Sequence, residues 1–360
     1  MPTPAPPSIT PQVAPARATS ADVARTAGVS KASVSRFLNH RDKLLTADMA
    51  SRVEVAIAAL AYVPSPMAQA LKRGRSRLIG LVVADVSNPF SVAVLRGAEK
   101  ACQQAGYLLM LFNLGNDGAR EREAIEALTA YQVEGFILNT LGRDAGAAAA
   151  AARHGKPVVL VDRRHPGMQA DFVSLDNAGA VRLAASHLVE AGYRELLFVT
   201  EPVHGVSARL ERQHAFCAFI KRFRPGTSCY TCESTELDHD GLDQALRALR
   251  LRAGGRAPAV LSGNAVITLR LTAAMARLGW RLGVDIGLVG FDDTDWAPFV
   301  GPGLTTIAQP TDDLGQQAVE CVLARLQGAV HSPRNILLPG SLRARGSSQP
   351  IEPKLSPQTG

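Results

Sequence analysis

The chain has 360 residues, 46% hydrophobic, 20% charged and 5% aromatic, which leaves room for two or three folding units and excludes a disordered or fibrous chain. Its net charge of +7 is unevenly placed: through Arg77 there are 11 Lys/Arg against 4 Asp/Glu, and the rest carries 28 of each. No basic-then-apolar leader opens the chain and no apolar run approaches 18 residues, so a soluble, intracellular protein with no membrane role is expected.

Residues 1–17 hold six prolines among Ala, Ser and Thr. Such a segment cannot bury a core and reads as a disordered tail. Thr19-Ser20-Ala21-Asp22 then reads as a capping box, an N-cap Thr with an acid three residues on, opening a helix to about Ala27. Gly28-Val29 makes a tight turn, and Ser30 caps a second helix from Lys31 to about Leu38. Two short helices about a Gly-containing turn form a helix-turn-helix unit, over residues 18–62. Thr46 caps a third helix, whose Val53, Ala56, Ile57 and Leu60 follow the helical period. On the second helix Val34, Phe37 and Leu38 fall inward, whereas Lys31, Ala32, Ser35 and Arg36 fall outward. A face carrying one Lys, one small residue and one Arg suits a DNA major groove, where Arg pairs bidentately with guanine. Ser30, Ser33 and Ser35 are suited to phosphate contacts, which set register without reading bases. The bland alternative is a small helical bundle with a solvated polar face.

Residues 63–77 read as a hinge: Pro64 and Pro66 end the helical unit, Met67–Lys72 is capable of one short helix, and Gly74 with a basic cluster closes it. From Leu78 short apolar runs recur, at Leu78–Ala84, Tyr107–Phe112, Gly135–Leu138, Val158–Val161, Leu196–Val199, Ala259–Leu261, Gly287–Val289 and Thr305–Ile307. Amphipathic stretches such as Ser91–Ala105 and Ala178–Ala191 lie between them. Strands alternating with helices imply parallel sheets covered on both faces. The length from 78 to 345 is too great for one such sheet, so two α/β lobes are expected, the first about 78–190 and 308–338, the second about 191–307 and 339–345. Ligands of such folds bind outside the carboxyl ends of the strands, here between the lobes. The five cysteines are scattered, so no disulfide framework is expected, and Cys229-x-x-Cys232 has no second pair or nearby His to complete a metal site. No cofactor is called for. Residues 346–360 read as a flexible tail.

The ordered string Asp22-Val23-Ala24, Ala27-Gly28-Val29-Ser30-Lys31-Ala32-Ser33-Val34-Ser35-Arg36, Leu38-Asn39 resembles the signature of the lactose-repressor (LacI) family. Tyr62-x-Pro64, Ala68-x-x-Leu71, Asn88-Pro89-Phe90, Gly290-Phe291-Asp292-Asp293 and Leu304-Thr305-Thr306-Ile307-x-Gln309-Pro310 extend the likeness over about 18–345. The resemblance implies a helix-turn-helix head on a two-lobed core like that of periplasmic sugar-binding proteins. It implies a transcriptional regulator, most simply a repressor, acting as a homodimer on palindromic double-stranded operator DNA. The DNA-contacting set it implies is Thr19, Ser30, Lys31, Ala32, Ser33, Ser35, Arg36 and Asn39, with Leu71 wedged into the minor groove and Lys72 on phosphate. In the cleft it implies Phe90, Ser91, Asp176, Arg212, Asn264, Asp292 and Gln309 as effector-binding residues. Ala61 and Ser65 stand where relatives carry Gly and Asn, and Ala215 and Ala265 where they carry Gly and Asp. The stretches around Lys31–Arg36, Asn88–Ser91 and Gly135–Gly142 resemble regulators of sugar-acid use, such as gluconate or ketogluconate, and Arg163, Arg209 and His204 add positive charge nearby.

Two other readings compete. A regulator answering to a protein corepressor would keep the DNA-reading head but bind no small ligand. A sugar-binding protein with no DNA role would lack that head. An enzyme is not expected: the eight histidines are scattered and no nucleophile elbow or phosphate-binding loop occurs.

Overall fold

The computed structural model describes residues 18–38, 44–64, 74–142, 145–223, 229–235 and 238–349. The chain divides into two compact units, through Ser76 and from Arg77.

Among the described residues the first unit has helices α1 (Ser20–Ala27), α2 (Lys31–Leu38) and α3 (Ala47–Ala59). The capping box forms as the sequence predicts. Thr19 Oγ1 accepts from the Asp22 backbone N–H at 3.3 Å, and Asp22 Oδ2 accepts from the Thr19 N–H at 2.9 Å. These bonds satisfy donors that a helix start otherwise leaves open. Gly28, at φ 62°, turns the chain, and Ser30 Oγ accepts from the Ser33 N–H at 3.1 Å to begin α2. Val23, Ala24, Ala27, Val34, Val53 and Ala56 form the core, with Phe37, Leu38, Ile57, Leu60 and Tyr62 packed around it. After α3 the Tyr62 N–H reaches back to the Ile57 carbonyl at 3.0 Å, which needs a left-handed residue between them; that residue is Ala61, at φ 44°.

The second unit contains two six-stranded sheets. The first comprises β1 (Leu78–Val83), β2 (Leu108–Asn113), β3 (Gly135–Asn139), β4 (Val158–Val161), β5 (Asp171–Leu175) and β11 (Asn335–Leu338), in the order β11-β5-β4-β3-β1-β2, all parallel. The second comprises β6 (Leu196–Thr200), β7 (Thr231–Glu233), β8 (Ala259–Ser262), β9 (Gly287–Phe291), β10 (Thr305–Ala308) and β12 (Ser341–Arg343), in the order β12-β10-β9-β8-β6-β7, with only β12 antiparallel. Because most strands are covered on both faces, they are continuous apolar runs rather than alternating ones. All eight apolar runs are strands, while β5, β7, β11 and β12 are additional.

The helices of this unit are α4 (Pro89–Gln104), α5 (Arg120–Ala130), α6 (Ala145–Arg153), α7 (Asn177–Glu190), α8 (Ser207–Phe223), α9 (His239–Arg252), α10 (Ala265–Leu278) and α11 (Thr311–Leu326). α4 and α11 lie backbone to backbone: a Cβ on Gly97 would stand 2.2 Å from the Asp312 carbonyl oxygen, and one on Gly315 would stand 2.3 Å from that of Val94. Glycine is required there by contact, not by φ. The chain crosses between lobes at Asp176, at Gln309 and at Gly340.

Three sequence expectations are corrected. Gly346–Ser348 is a short 3-10 turn and not the start of a flexible tail: Ser347 and Ser348 are buried, and Ser347 Oγ donates to the Leu288 carbonyl at 2.7 Å. α7 packs through Ala180, Val181, Ala184 and Leu188 against Phe198, Phe216 and Ile307 of the second lobe, so the first crossing comes before α7 and not near 190. An Ala-rich amphipathic helix fits either sheet, and its pattern carried no information on which. Cys217 of α8 and Cys229 are joined by a disulfide, their Cα atoms 5.2 Å apart, where scattered spacing suggested none. Cys102, Cys232 and Cys321 are free.

Ala61 generates a prediction. A left-handed conformation costs a non-glycine residue about 1–2 kcal/mol, partly offset by the lower entropy of an unfolded Ala. Ala61→Gly should stabilise the helical unit by about 0.5–1 kcal/mol. Amide exchange in α1 and α3 should slow about two- to fivefold if opening is global to the unit; unchanged or faster exchange would show that position 61 is not strained.

Candidate functional site: an arginine-lined cleft and a reading helix

The core's largest concentration of buried polar groups lies where the two lobes meet. Asn88, Phe90, Asp162 and Arg163 of the first lobe face Val206, Ala208, Arg209, Arg212, Asn264 and Asp292 of the second, with Gln309 at a crossover. Together they line one narrow, polar cleft. Each side chain reaches the cleft from the carboxyl end of a strand or the start of the following helix. Asp162 follows β4 and Asp292 follows β9, and both are left-handed, at φ 65° and 67°. Two strained aspartates at matching strand ends, one per lobe, turn their carboxylates toward the same space.

Arg212 is the centre of the cleft. It is 4% exposed. Its Nε donates to Asn177 Oδ1 at 2.7 Å and its Nη1 to the Gly263 carbonyl at 2.6 Å. Its Nη2 lies 3.7 Å from Asp162 Oδ1 on the opposite lobe, and its guanidinium stacks 4.5 Å from the Phe291 ring centroid. A buried guanidinium persists only when its charge and its donors are answered in this way. Asp292 accepts from the Ala265 N–H at 3.1 Å and from Gln309 Nε2 at 2.7 Å. Burial pushes its carboxyl pKa up, against the opposing pull of Arg212 and the Gln309 hydrogen bond. Asn264 caps α10 by accepting from the Ile267 N–H at 2.9 Å, and its amide donates to Glu201 Oε2 at 2.6 Å.

Three buried atoms of the lining make no hydrogen bond among the described residues: Asp162 Oδ1, Arg163 Nε and Gln309 Oε1. Arg163 has a 3.5 Å contact with Asp162 Oδ2 and a long bond to the Thr140 carbonyl, also 3.5 Å. Burying an unanswered polar atom costs about 1–3 kcal/mol, so one donor and two acceptors in one cavity favour a partner that supplies both.

The lobes also meet beside the cleft. Val206 of the second lobe is buried against Ala84 and Leu141 of the first. Ser207 Oγ accepts from the Arg164 N–H at 2.9 Å.

Of the seven effector residues the sequence suggested, Phe90, Arg212, Asn264, Asp292 and Gln309 line this cleft together. Ser91 and Asp176 do not. Ser91 Oγ is turned to Asn139 Oδ1 at 3.3 Å, and Asp176 caps α7 by accepting from the Gly179 N–H at 2.9 Å. His204 is exposed and also lies off the lining. Sequence reasoning missed Asp162 and Asn88, although an Asp-Arg pair directly after the apolar run Val158–Val161 is a usable signal. Asn177, one residue past the suggested Asp176, is the one that reaches Arg212.

In the helical unit, Lys31, Ala32 and Arg36 of α2 are exposed, as are Thr19 and Ser30, and Ser35 is partly so. Ser33 departs from expectation: it is buried, its hydroxyl 3.0 Å from that of Ser30, and therefore closes the turn. Asn39, Leu71 and Lys72 lie outside the described residues. Among the described residues no group of three or more His, Cys, Asp or Glu could hold a metal ion, and no helix is long and apolar enough to cross a membrane.

The comparisons with known proteins agree with this division. Residues 19–65 match the bacterial regulatory proteins of the lacI family, and residues 185–348 match the periplasmic binding protein-like domain. The HTH-type transcriptional regulator PtxS of Pseudomonas aeruginosa is 45% identical over 334 residues, covering 93% of this chain and 96% of that protein. KdgR of Bacillus subtilis, also an HTH-type transcriptional regulator, is 38% identical over 91% of this chain and 96% of its own length. Among solved structures, the Lac repressor dimer bound to operator and an anti-inducer superposes with a TM-score of 0.78 at 28% identity, over 92% of this chain and 99% of that one.

The geometry at Arg212 makes a stability prediction. Lys keeps the charge but cannot answer Asn177, Gly263 and Asp162 from one planar fork. Arg212→Lys should cost the core about 2 kcal/mol, or roughly 4–8 °C in melting temperature. A fall under about 1 °C would show that the fork is not what joins these elements.

Proposed function

Because the chain belongs to the lacI family of bacterial regulatory proteins, it is a DNA-binding transcriptional repressor, and we propose that a sugar acid held between its lobes controls its grip on the operator. The observation that carries the ligand class is a set of buried cleft atoms without a hydrogen bond: Arg163 Nε, 3.5 Å from Asp162 Oδ2, beside two acceptors, Asp162 Oδ1, which faces Arg212 at 3.7 Å, and Gln309 Oε1. A carboxylate answers the first, and hydroxyls answer the other two. A neutral polyol would leave Arg163 without a charge partner from the ligand. Phe90 supplies an apolar wall for the sugar face.

As the Lac repressor is a dimer on its operator, this chain would act as a homodimer on operator DNA, a palindromic one on this reading. Lys31, Ala32 and Arg36 are our candidates for reading base edges in the major groove; Thr19, Ser30 and Ser35 set the register on phosphate, with Asn39 beside them. Leu71 is our candidate for a minor-groove wedge and Lys72 for a phosphate contact. Effector binding between the lobes would then alter operator affinity without the effector touching DNA. We assign the cleft no catalytic turnover: the acid adjacent to Asp292, Asp293, is engaged by Arg345 at 2.7 Å and does not line it.

Two measurements test this reading. Calorimetry should give clear heat with gluconate or ketogluconate and little with glucose or ribose; binding of neutral sugars alone would reject the acid. On DNA, Arg36→Ala should lose about 1–3 kcal/mol at the cognate site and relax one base position, whereas Lys72→Ala should weaken all sequences alike and shallow the salt dependence. Equal, sequence-independent losses from both would remove Arg36 from base reading.

A further inference from the structure

Glu201 sits immediately after β6, at the edge of the cleft. Its Oε2 accepts from Arg209 Nη2 at 2.5 Å and from Asn264 Nδ2 at 2.6 Å. Both donors belong to side chains that line the cavity. Arg209 is held further by its Nη1, which donates to the Pro202 carbonyl at 3.0 Å. The Asn264 amide is fixed in orientation too, because its oxygen caps α10. Two strong donors of the pocket are therefore turned to a carboxylate that the chain itself supplies.

A carboxylate oxygen shared between a guanidinium and an amide within 2.6 Å is the arrangement an acidic ligand would seek. Arg163, by contrast, has a buried Nε with no hydrogen bond. The three guanidiniums of the lining thus differ in what they have left to offer. Arg212 is committed to Asn177, Gly263 and Asp162; Arg209 is committed to Glu201 and Pro202; Arg163 is the one with capacity to spare.

We infer that Glu201 acts as a built-in anion that occupies the Arg209–Asn264 end of the cleft, so that an acidic effector is accepted with its carboxylate toward Arg163 and its hydroxyl-bearing end toward Glu201. This rests on the reading of the effector as a sugar acid. A second carboxylate at the far end of the same carbon chain would be driven against Glu201, and like charges placed together in a closed site are strongly unfavourable. Glu201 would then select monoacids and reject diacids of the same length, by repulsion and not by size.

The test compares gluconate, glucarate and glucose by calorimetry on the full-length protein and on Glu201→Gln, which keeps the shape and removes the charge. The wild type should bind gluconate and bind glucarate at least about tenfold more weakly. Glu201→Gln should narrow that ratio about tenfold or more, whatever the change in gluconate affinity itself. Glu201→Asp, which retains the charge, should keep the wild-type preference. Should the Gln variant melt well below the wild type, Glu201→Ala carries the same expected loss of discrimination. Wild-type binding of gluconate with an unchanged gluconate-to-glucarate ratio in the charge-removing variant overturns the role of Glu201 alone. Wild-type binding of glucose with no acid binding overturns the acidic effector, and this inference with it.

Discussion

One buried guanidinium organises the polar groups of the cleft at the point where the core's two halves meet. Arg212 answers the Asn177 amide and the Gly263 carbonyl within its own lobe, stacks on Phe291, and faces Asp162 across the gap. No neutral side chain could do all of this, and no exposed charge would need to. Around it the other cleft groups take their settings. Asp292 is buried, which pushes its carboxyl pKa up, Asp162 is held at a strained backbone angle, and Gln309 spends its amide nitrogen on Asp292, leaving its oxygen without a hydrogen bond. Such a centre is stable enough to exist and incomplete enough to bind. The cost of its unsatisfied atoms is what a ligand relieves on entry.

The charge distribution assigns a different task to each unit. The basic residues in excess are confined to the segment before Leu78, where a capped pair of short helices presents Lys31 and Arg36 to solvent. The core carries as many acids as bases, so it adds no general attraction for a polyanion and can devote its arginines to a chosen small anion. On the proposed reading, DNA and effector would be recognised by separate residues, which could be altered independently.

Much of this was legible in the sequence, for identifiable reasons. Capping residues announce helices through local chemistry, so Thr19, Ser30 and Thr46 marked the helical unit, and buried parallel strands announced themselves as apolar runs. β5, β7 and β12 were hidden: Asp171 opens one beside Arg325, and the other two are three-residue edge strands with no apolar run to mark them. The sheet to which α7 belongs was also hidden, because helix patterning reports a buried face but not its partner. The cleft was read through resemblance at Arg212, Asn264, Asp292 and Gln309, which share no local pattern and meet only through the fold. Asp162, beside the Arg163 already noted for its charge, could have been found from position alone, at the end of a strand. Ser33 shows the reverse error: its polar side chain on the reading helix closes a turn inside the unit.

The central claim is that closure around Arg212 is shared by the effector and by the DNA-bound form. Linkage makes this measurable without knowing the direction of the response. Effector affinity should be determined by calorimetry on the free homodimer and on the same homodimer saturated with operator. The account predicts affinities that differ by about fivefold or more, by the same factor as effector changes operator affinity. Identical effector affinity on and off the operator would contradict it, since the cleft would then be a binding site with no hold on the DNA-reading head.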